Sequence, residues 1–177
     1  MKILKIPDTD FIFRKCTIQD IDDICKIQEL AFQALTDSNL LRRNSKEVLQ
    51  TCLEEPHYTL GVFHKEKLIA FAILYDGGNT DENIGRDIEI PEEKLSSVVN
   101  FKLVIVLPEY RGNKLQQKLI YKLEEIAKEN GKKIMCATIS PLNSFSLKNF
   151  EDAGFKFHSQ KIKYNNLKRC IYYKKLG

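Results

Sequence analysis

Between Val106 and Leu119 the chain reads VLPEYRGNKLQQKL, and these residue types at this spacing suit the capture of an anion. Pro108 ends an apolar run, and a helical pattern starts near Asn113. The first N–H groups of a helix lack intrahelical partners, and the helix dipole adds positive potential at the same end. Gly112 lets the backbone come close to an oxyanion, and Arg111 places a guanidinium beside it. Phosphate is the usual guest of such a corner. The same residues also fit an ordinary strand-to-helix turn with a surface arginine, so spacing alone leaves both readings open. There is no G-x-x-x-x-G-K-[ST] and no G-x-G-x-x-G, which argues against a P-loop and leaves a Rossmann site without its fingerprint.

The elements around this corner follow from periodicity. VVNFKLVIVL, rich in β-branched residues, predicts a central strand. Leu115, Leu119, Ile120, Leu123, Ile126 and Ala127 form one helical stripe, which Asn130-Gly131 ends as a left-handed cap. KIMCATIS predicts another strand, NSFSLKNFEDAG a short helix, and FKFHS and KRCIYYKK the closing strands. Upstream, FIFRKC alternates as a strand, and Thr17 with Asp20 resembles a capping box before Ile21, Ile24, Ile27, Leu30 and Ala31. A second helix is expected from Ser45, with Val48, Leu49 and Cys52 on one face and Pro56 beyond its end. Tyr58–Phe63 and Leu68–Leu74 are strands joined at HKEK. The polar stretch from Asp76 to Ser97 is expected as a surface loop bordering a substrate site. The order β-α-α-β-β-β-α-β-α-β-β implies an α/β fold, a mixed sheet with helices on both faces.

With 177 residues the natural expectation is one domain over residues 1–177. A net charge of +4 suits an anionic small molecule or peptide and is weak support for nucleic acid. The interleaved basic and aromatic residues of KIKYNNLKRCIYYKK fit a final hairpin with lysines on its wet face better than a nucleic-acid surface. Five scattered cysteines without a Cys-x-x-Cys pair fit free thiols in a reducing compartment, and three histidines, none at i, i+4, argue against a metal site. Pro7, Asp8 and Asp10 interrupt the start as a signal-peptide core, and no apolar run reaches spanning length, so a cytoplasmic, membrane-free protein is expected.

The segment VIVLPEYRGNKLQ resembles the best-known motif of the GNAT superfamily of acyl-CoA-dependent N-acyltransferases, with Arg111 at the first position of its [QR]-x-x-G-x-[GA] pattern. NSFSLKNFEDAGF is similar to that family's Asn-x-x-[AS]-x-x-x-[YF] helix, and KIMCATIS lies between the two motifs as the family requires. The specific match runs from about Val98 to Phe157. The resemblance implies a mostly antiparallel six- to seven-stranded sheet and an N-acetyltransferase acting from acetyl-CoA. Val104, Ile105 and Val106 would offer backbone groups to the pantetheine arm. The N–H groups of Gly112, Asn113, Lys114, Leu115, Gln116 and Gln117 would hold the pyrophosphate, supported by Arg111. Asn143 would face the pantetheine, and Phe150 would sit near the thioester sulfur. The acceptor would be a primary amine of a small molecule or peptide, with no metal and no nucleic acid involved; the oligomeric state, a homodimer included, stays open.

Three departures mark this chain. Lys114 and Gln116 stand where the motif has glycine and a small residue, and a left-handed Lys114 would carry about 1–2 kcal/mol of strain. Phe150 replaces a tyrosine that protonates the departing thiolate in many relatives, a role worth roughly 10²–10⁴-fold. Thr138 stands where some relatives carry a glutamate base, which leaves the base unassigned; Glu89 and His57 are candidates set against a plain surface role. Cys136 is expected as a packing thiol. The rival reading is a non-catalytic CoA-binding or interaction module on the same fold.

Overall fold

β-Branched and aromatic residues fill seven strands, and in the computed structural model, which describes all residues from Met1 to Gly177, these form one sheet. In chain order they are β1 (Phe11–Lys15), β2 (Tyr58–His64), β3 (Lys67–Tyr75), β4 (Val98–Val106), β5 (Ile134–Ile139), β6 (Lys156–Lys163) and β7 (Leu167–Lys175). Their spatial order is β1-β2-β3-β4-β5-β7-β6, and every neighbouring pair is antiparallel except β4 with β5. The helices are α1 (Ile21–Gln33), α2 (Lys46–Thr51), α3 (Leu115–Glu129) and α4 (Ser144–Asp152). α1 packs with α2 and α3 with α4, and both α1 and α3 lie against β3 and β4. No helix is long and apolar enough to cross a membrane.

The core sits where the helical stripes meet the sheet. Leu115, Leu119, Ile120, Leu123 and Ala127 of α3 are all buried, as are Ile24 and Ile27 of α1. Each large aliphatic side chain so buried contributes about 1.5–3 kcal/mol. In α2, Leu49 and Cys52 face inward as expected, whereas Val48 is exposed because the helix is only six residues long and starts at its Ser45 cap. The Ser45 hydroxyl accepts the N–H of Val48 at 3.2 Å.

Residues 76–97 do more than loop across the surface. Two short 3₁₀ turns, Ile84–Ile88 and Glu92–Ser97, bury Ile84 and Leu95. Ile84 packs with Val98, Cys136 and Ile171, on the sheet face opposite the one formed by Phe101 and Ala137. Asn83 and Asn100 fasten this cover through hydrogen bonds to Gly78, Leu95, Ile84 and Glu82. Glu82 lies 3.9 Å from Arg42, and no residue of 76–97 lines the clefts described next.

Candidate active site: a splayed strand pair and an anion cradle

β4 and β5 run parallel from Val98↔Ile134 to Phe101↔Ala137 and then part, although β4 continues to Val106 and β5 to Ile139. The cause lies on the other edge of β4. There Leu74 opposes Phe101 and Ile73 opposes Leu103, so Lys102 is an extra residue, a β-bulge. A bulge bends its strand and ends regular pairing. Beyond it, Lys102, Val104 and Val106 are half-buried and Leu103 and Ile105 are buried, which is the alternation of a strand with one face on an opening. That opening is a cleft of about 530 Å³ bordered by Val104, Val106, Arg111, Gly112 and Asn143.

At one end of the cleft stands the mouth of α3. Gly112 has φ +84° and Lys114 φ +57°, both left-handed. The N–H of Lys118 is the first in the helix to find a carbonyl, that of Lys114 at 3.0 Å; the N–H groups of residues 112–117 have no protein acceptor. Six successive unpartnered donors at a helix start form a cradle for an oxyanion. Lys114 holds its left-handed turn at about 1–2 kcal/mol of strain, the case in which the glycine of the motif is missed.

What fixes the loop was only partly legible in the sequence. The side chain of Asn113 is buried and fully used: Nδ2 donates to the carbonyls of Leu4 and Tyr110, both at 2.8 Å, and Oδ1 accepts the N–H of Ile6 at 3.1 Å. Asn113 therefore has only its backbone left for a ligand. Lys5 donates to the carbonyl of Gly112 at 2.7 Å, adding a cation beside exposed Arg111 and Lys114. Leu115 is buried in the core and likewise offers only its N–H. Gln116, in place of a small residue, acts as a strut: Nε2 donates to Ser146 Oγ at 3.0 Å and Oε1 accepts from Asn149 Nδ2 at 3.1 Å. It ties α3 to α4. Gln117 is half-buried on the cradle's wall.

Asn143 caps α4, accepting the N–H of Ser146 at 3.2 Å, and borders the cleft. Phe150 is buried edge-on between Phe101 and Phe155, with ring centres 5.2 and 5.0 Å apart. It thus lies under the point where the strands part, and it has no hydroxyl to offer. A smaller pocket of about 80 Å³ continues past Phe150 and Val104, lined also by Arg42, Lys102, Thr138, Tyr164 and Arg169. Thr138 Oγ1 lies 3.2 Å from the Tyr164 hydroxyl. Tyr164 was not singled out in the sequence, and its signal was the turn it begins: Tyr164, Asn165 and Asn166 all have positive φ.

Neither Glu89 nor His57 lines the cleft or the inner pocket. Glu89 is an exposed left-handed residue closing a 3₁₀ turn on the covered face. His57 stacks on Tyr75 at 4.2 Å, and its Nδ1 accepts the N–H of Asp76 at 3.1 Å; burial, more than the nearby charges, lowers its pKa. Cys136 is buried on the covered face, and burial pushes its thiol up to about 12, which makes it a packing group. No three His, Cys, Asp or Glu side chains gather as a metal site.

The parted strand pair and the helix mouth with free donors lie on the segments that carry the two motifs. The family model for the acetyltransferase (GNAT) family matches residues 21–155, well over half of the chain. The chain belongs to the GNAT family. No curated protein matches it significantly. Among solved structures, the GNAT chain resembles the acetyltransferase yncA from Salmonella typhimurium, described with its cofactor acetyl-CoA, at 19% identity and TM-score 0.72, covering 95% of each chain. It is similar to paiA N-acetyltransferase from Thermoplasma acidophilum in complex with coenzyme A, at 19% identity and TM-score 0.68, covering 93% of this chain and 98% of that one. The ribosomal-protein-S18-alanine N-acetyltransferase from Escherichia coli matches at 14% identity and TM-score 0.71, covering 94% of each.

Proposed function

We propose that this GNAT chain is a single-domain, acetyl-CoA-dependent N-acetyltransferase that acts on a primary amine by direct attack. The observation that carries this reading is the row of unpartnered N–H groups from 112 to 117, set at the mouth of a cleft that runs to the parting of β4 and β5. The residues fit a diphosphate: six backbone donors, with Arg111, Lys114 and Lys5 around them. Val104, Ile105 and Val106 supply strand backbone for the pantetheine amides, as an added strand would find at a sheet edge. Asn143 and exposed Phe145 form the opposite wall.

When bound, acetyl-CoA supplies a thioester carbon that takes the amine nitrogen as the C–S bond breaks, so one proton leaves nitrogen and one reaches sulfur. The chain's part is to orient, to polarise and to select the protonation state. The freed backbone donors of β4 polarise a carbonyl placed against them. Apart from Glu82 at the rim, no carboxylate faces the inner pocket, so no side-chain base is assigned. Arg42, Lys102 and Arg169 disfavour a further positive charge there, which favours the neutral form of an entering amine. Phe150 cannot donate to the thiolate, and a thiol of pKa about 8.5 leaves without that help.

Calorimetric titration with acetyl-CoA tests the cradle, and thiol release over a panel of amines tests the transfer. We expect saturable binding and acceptor-dependent thiol release. Absence of binding at millimolar acetyl-CoA would refute the cradle. Binding without any acceptor raising turnover above hydrolysis would establish the rival, a non-catalytic CoA-binding module. In either case Phe150→Tyr should leave CoA affinity intact.

A further inference from the structure

Three cations from distant parts of the chain converge on the inner pocket. Arg42 comes from the connection between α1 and α2, Lys102 from the bulge of β4, and Arg169 from β7. Arg169 is only 3% exposed. Its terminal nitrogens donate to the carbonyls of Lys168 and Asn39, each at 2.9 Å, and it pairs with no carboxylate. Lys102 also has no acidic partner; its ammonium lies 4.7 Å from the centre of the Tyr75 ring. The Arg42 guanidinium lies over Tyr164, 3.9 Å from the ring centre, and the Glu82 carboxylate stands 3.9 Å from Arg42. Three positive charges thus share one carboxylate, and the buried one, Arg169, has none, whereas buried charges in folded proteins are normally paired.

The strain of this arrangement shows in the groups themselves. Burial, followed by the charge of Arg42, holds Lys102 below the ordinary lysine range. Burial chiefly lowers Arg169, which Arg42 lowers further. An anion between them would relieve both. The bulge places Lys102 at the pocket, and the Tyr164 ring under the Arg42 guanidinium holds that charge beside it.

We propose that the acceptor is a small amine that carries a carboxylate, bound through that carboxylate by Arg42, Arg169 and Lys102, with its nitrogen toward the parting of β4 and β5. This rests on the acetyltransferase reading and names its substrate class. A guanidinium pairs with a planar carboxylate through two parallel hydrogen bonds. The pocket, about 80 Å³ beside a cleft of about 530 Å³, fits a compact molecule. Tyr164 is a positioning residue that acts through Arg42.

The test is calorimetry on the CoA-saturated protein with N-acetyl amino acids, their carboxamides and N-acetyl-O-phosphoethanolamine as probes, so that it does not depend on turnover. The acids should bind about 10- to 100-fold more tightly than the amides, the worth of one or two charge-assisted hydrogen bonds. Arg42→Gln, at a half-buried surface position, should remove that preference while CoA affinity stays within about twofold, and Lys102→Met should weaken it without disturbing the Arg42 stack. Equal affinity for acid and amide, preference for the phosphate, or no binding of any probe would overturn the proposal while leaving the acetyltransferase reading standing. Failure of CoA itself to bind would overturn both.

Discussion

The anion cradle and the inner pocket handle negative charge by opposite means. The cradle is built from backbone: residues 112–117 are contiguous, and their N–H groups are aimed by one left-handed turn at the start of α3. The inner pocket is built from side chains delivered by the α1–α2 connection, β4 and β7, of which Arg169 is buried and only Arg42 has a carboxylate, Glu82, nearby. Backbone donors cannot be changed by substitution unless the turn itself is lost, so a cradle tolerates Lys114 and Gln116 where the motif has small residues. Side-chain cations can be exchanged one at a time, which makes the inner pocket the place where acceptor choice is set.

The sharpest way to break this contrast is Gly112→Val. A β-branched residue at φ +84° is strained by about 1–3 kcal/mol, and its Cβ would meet Lys5 Nζ at 3.4 Å. Relief comes only by turning the peptide, which misaims the donors. Acetyl-CoA affinity should fall at least about tenfold by calorimetry, since ~1.4 kcal/mol is one decade, while acid-over-amide preference in the inner pocket survives at saturating CoA. Gln116→Ala should separate scaffold from cradle. It leaves Asn149 Nδ2 and Ser146 without their partner, a loss of about 1–3 kcal/mol, and should lower Tm by several degrees with a smaller change in CoA affinity. Lys114→Gly removes strain and charge together: Tm should rise by about 2–8 °C for the 1–2 kcal/mol released, while CoA binding weakens by less than about tenfold and loses part of its salt dependence.

The sequence made the cradle legible because its determinants are consecutive: strand, proline, Arg111-Gly112, amphipathic helix. The α3 stripe was legible for the same reason, being a local pattern, whereas the capping role of Asn143 emerges only from its bond to the N–H of Ser146. The inner pocket was hidden for a physical reason. Lys102 reads as one more residue of a strand, and only pairing with Leu74 and Ile73 shows it to be a bulge. Arg42 and Arg169 lie 127 positions apart and meet only because β7 inserts between β5 and β6. Glu89 is a titratable group on the polar stretch and His57 one beside the first hairpin strand, but that stretch turns Ile84 and Leu95 inward on the other face, and His57 is held by Tyr75 and the N–H of Asp76. The role of Asn113 as an anchor for Leu4 and Ile6 was equally invisible, because its partners lie more than a hundred residues away in the chain.

Far from both regions, Arg14 and Asp20 give a control of smaller size. The Arg14 guanidinium holds the Asp20 carboxyl below the usual carboxylate range, and Asp20 also accepts the N–H of Thr17 at 2.8 Å. A lowered folded pKa stabilises above the unfolded value near 3.9, and that stability is lost as pH falls through the folded value. With Arg14 half exposed, Asp20→Asn should therefore cost about 1 kcal/mol at pH 7, a cost that shrinks as pH falls below the unfolded value near 3.9, measured by denaturant titration, with no effect on either site.

The most direct measurement is a crystal structure of the protein with acetyl-CoA. The account predicts the diphosphate within hydrogen-bond distance of the N–H groups of residues 112–117, the pantetheine along Val104 to Val106, and the thioester beside Phe150 facing Lys102. A diphosphate held elsewhere, with those amides turned to solvent or to the protein's own side chains, would contradict it.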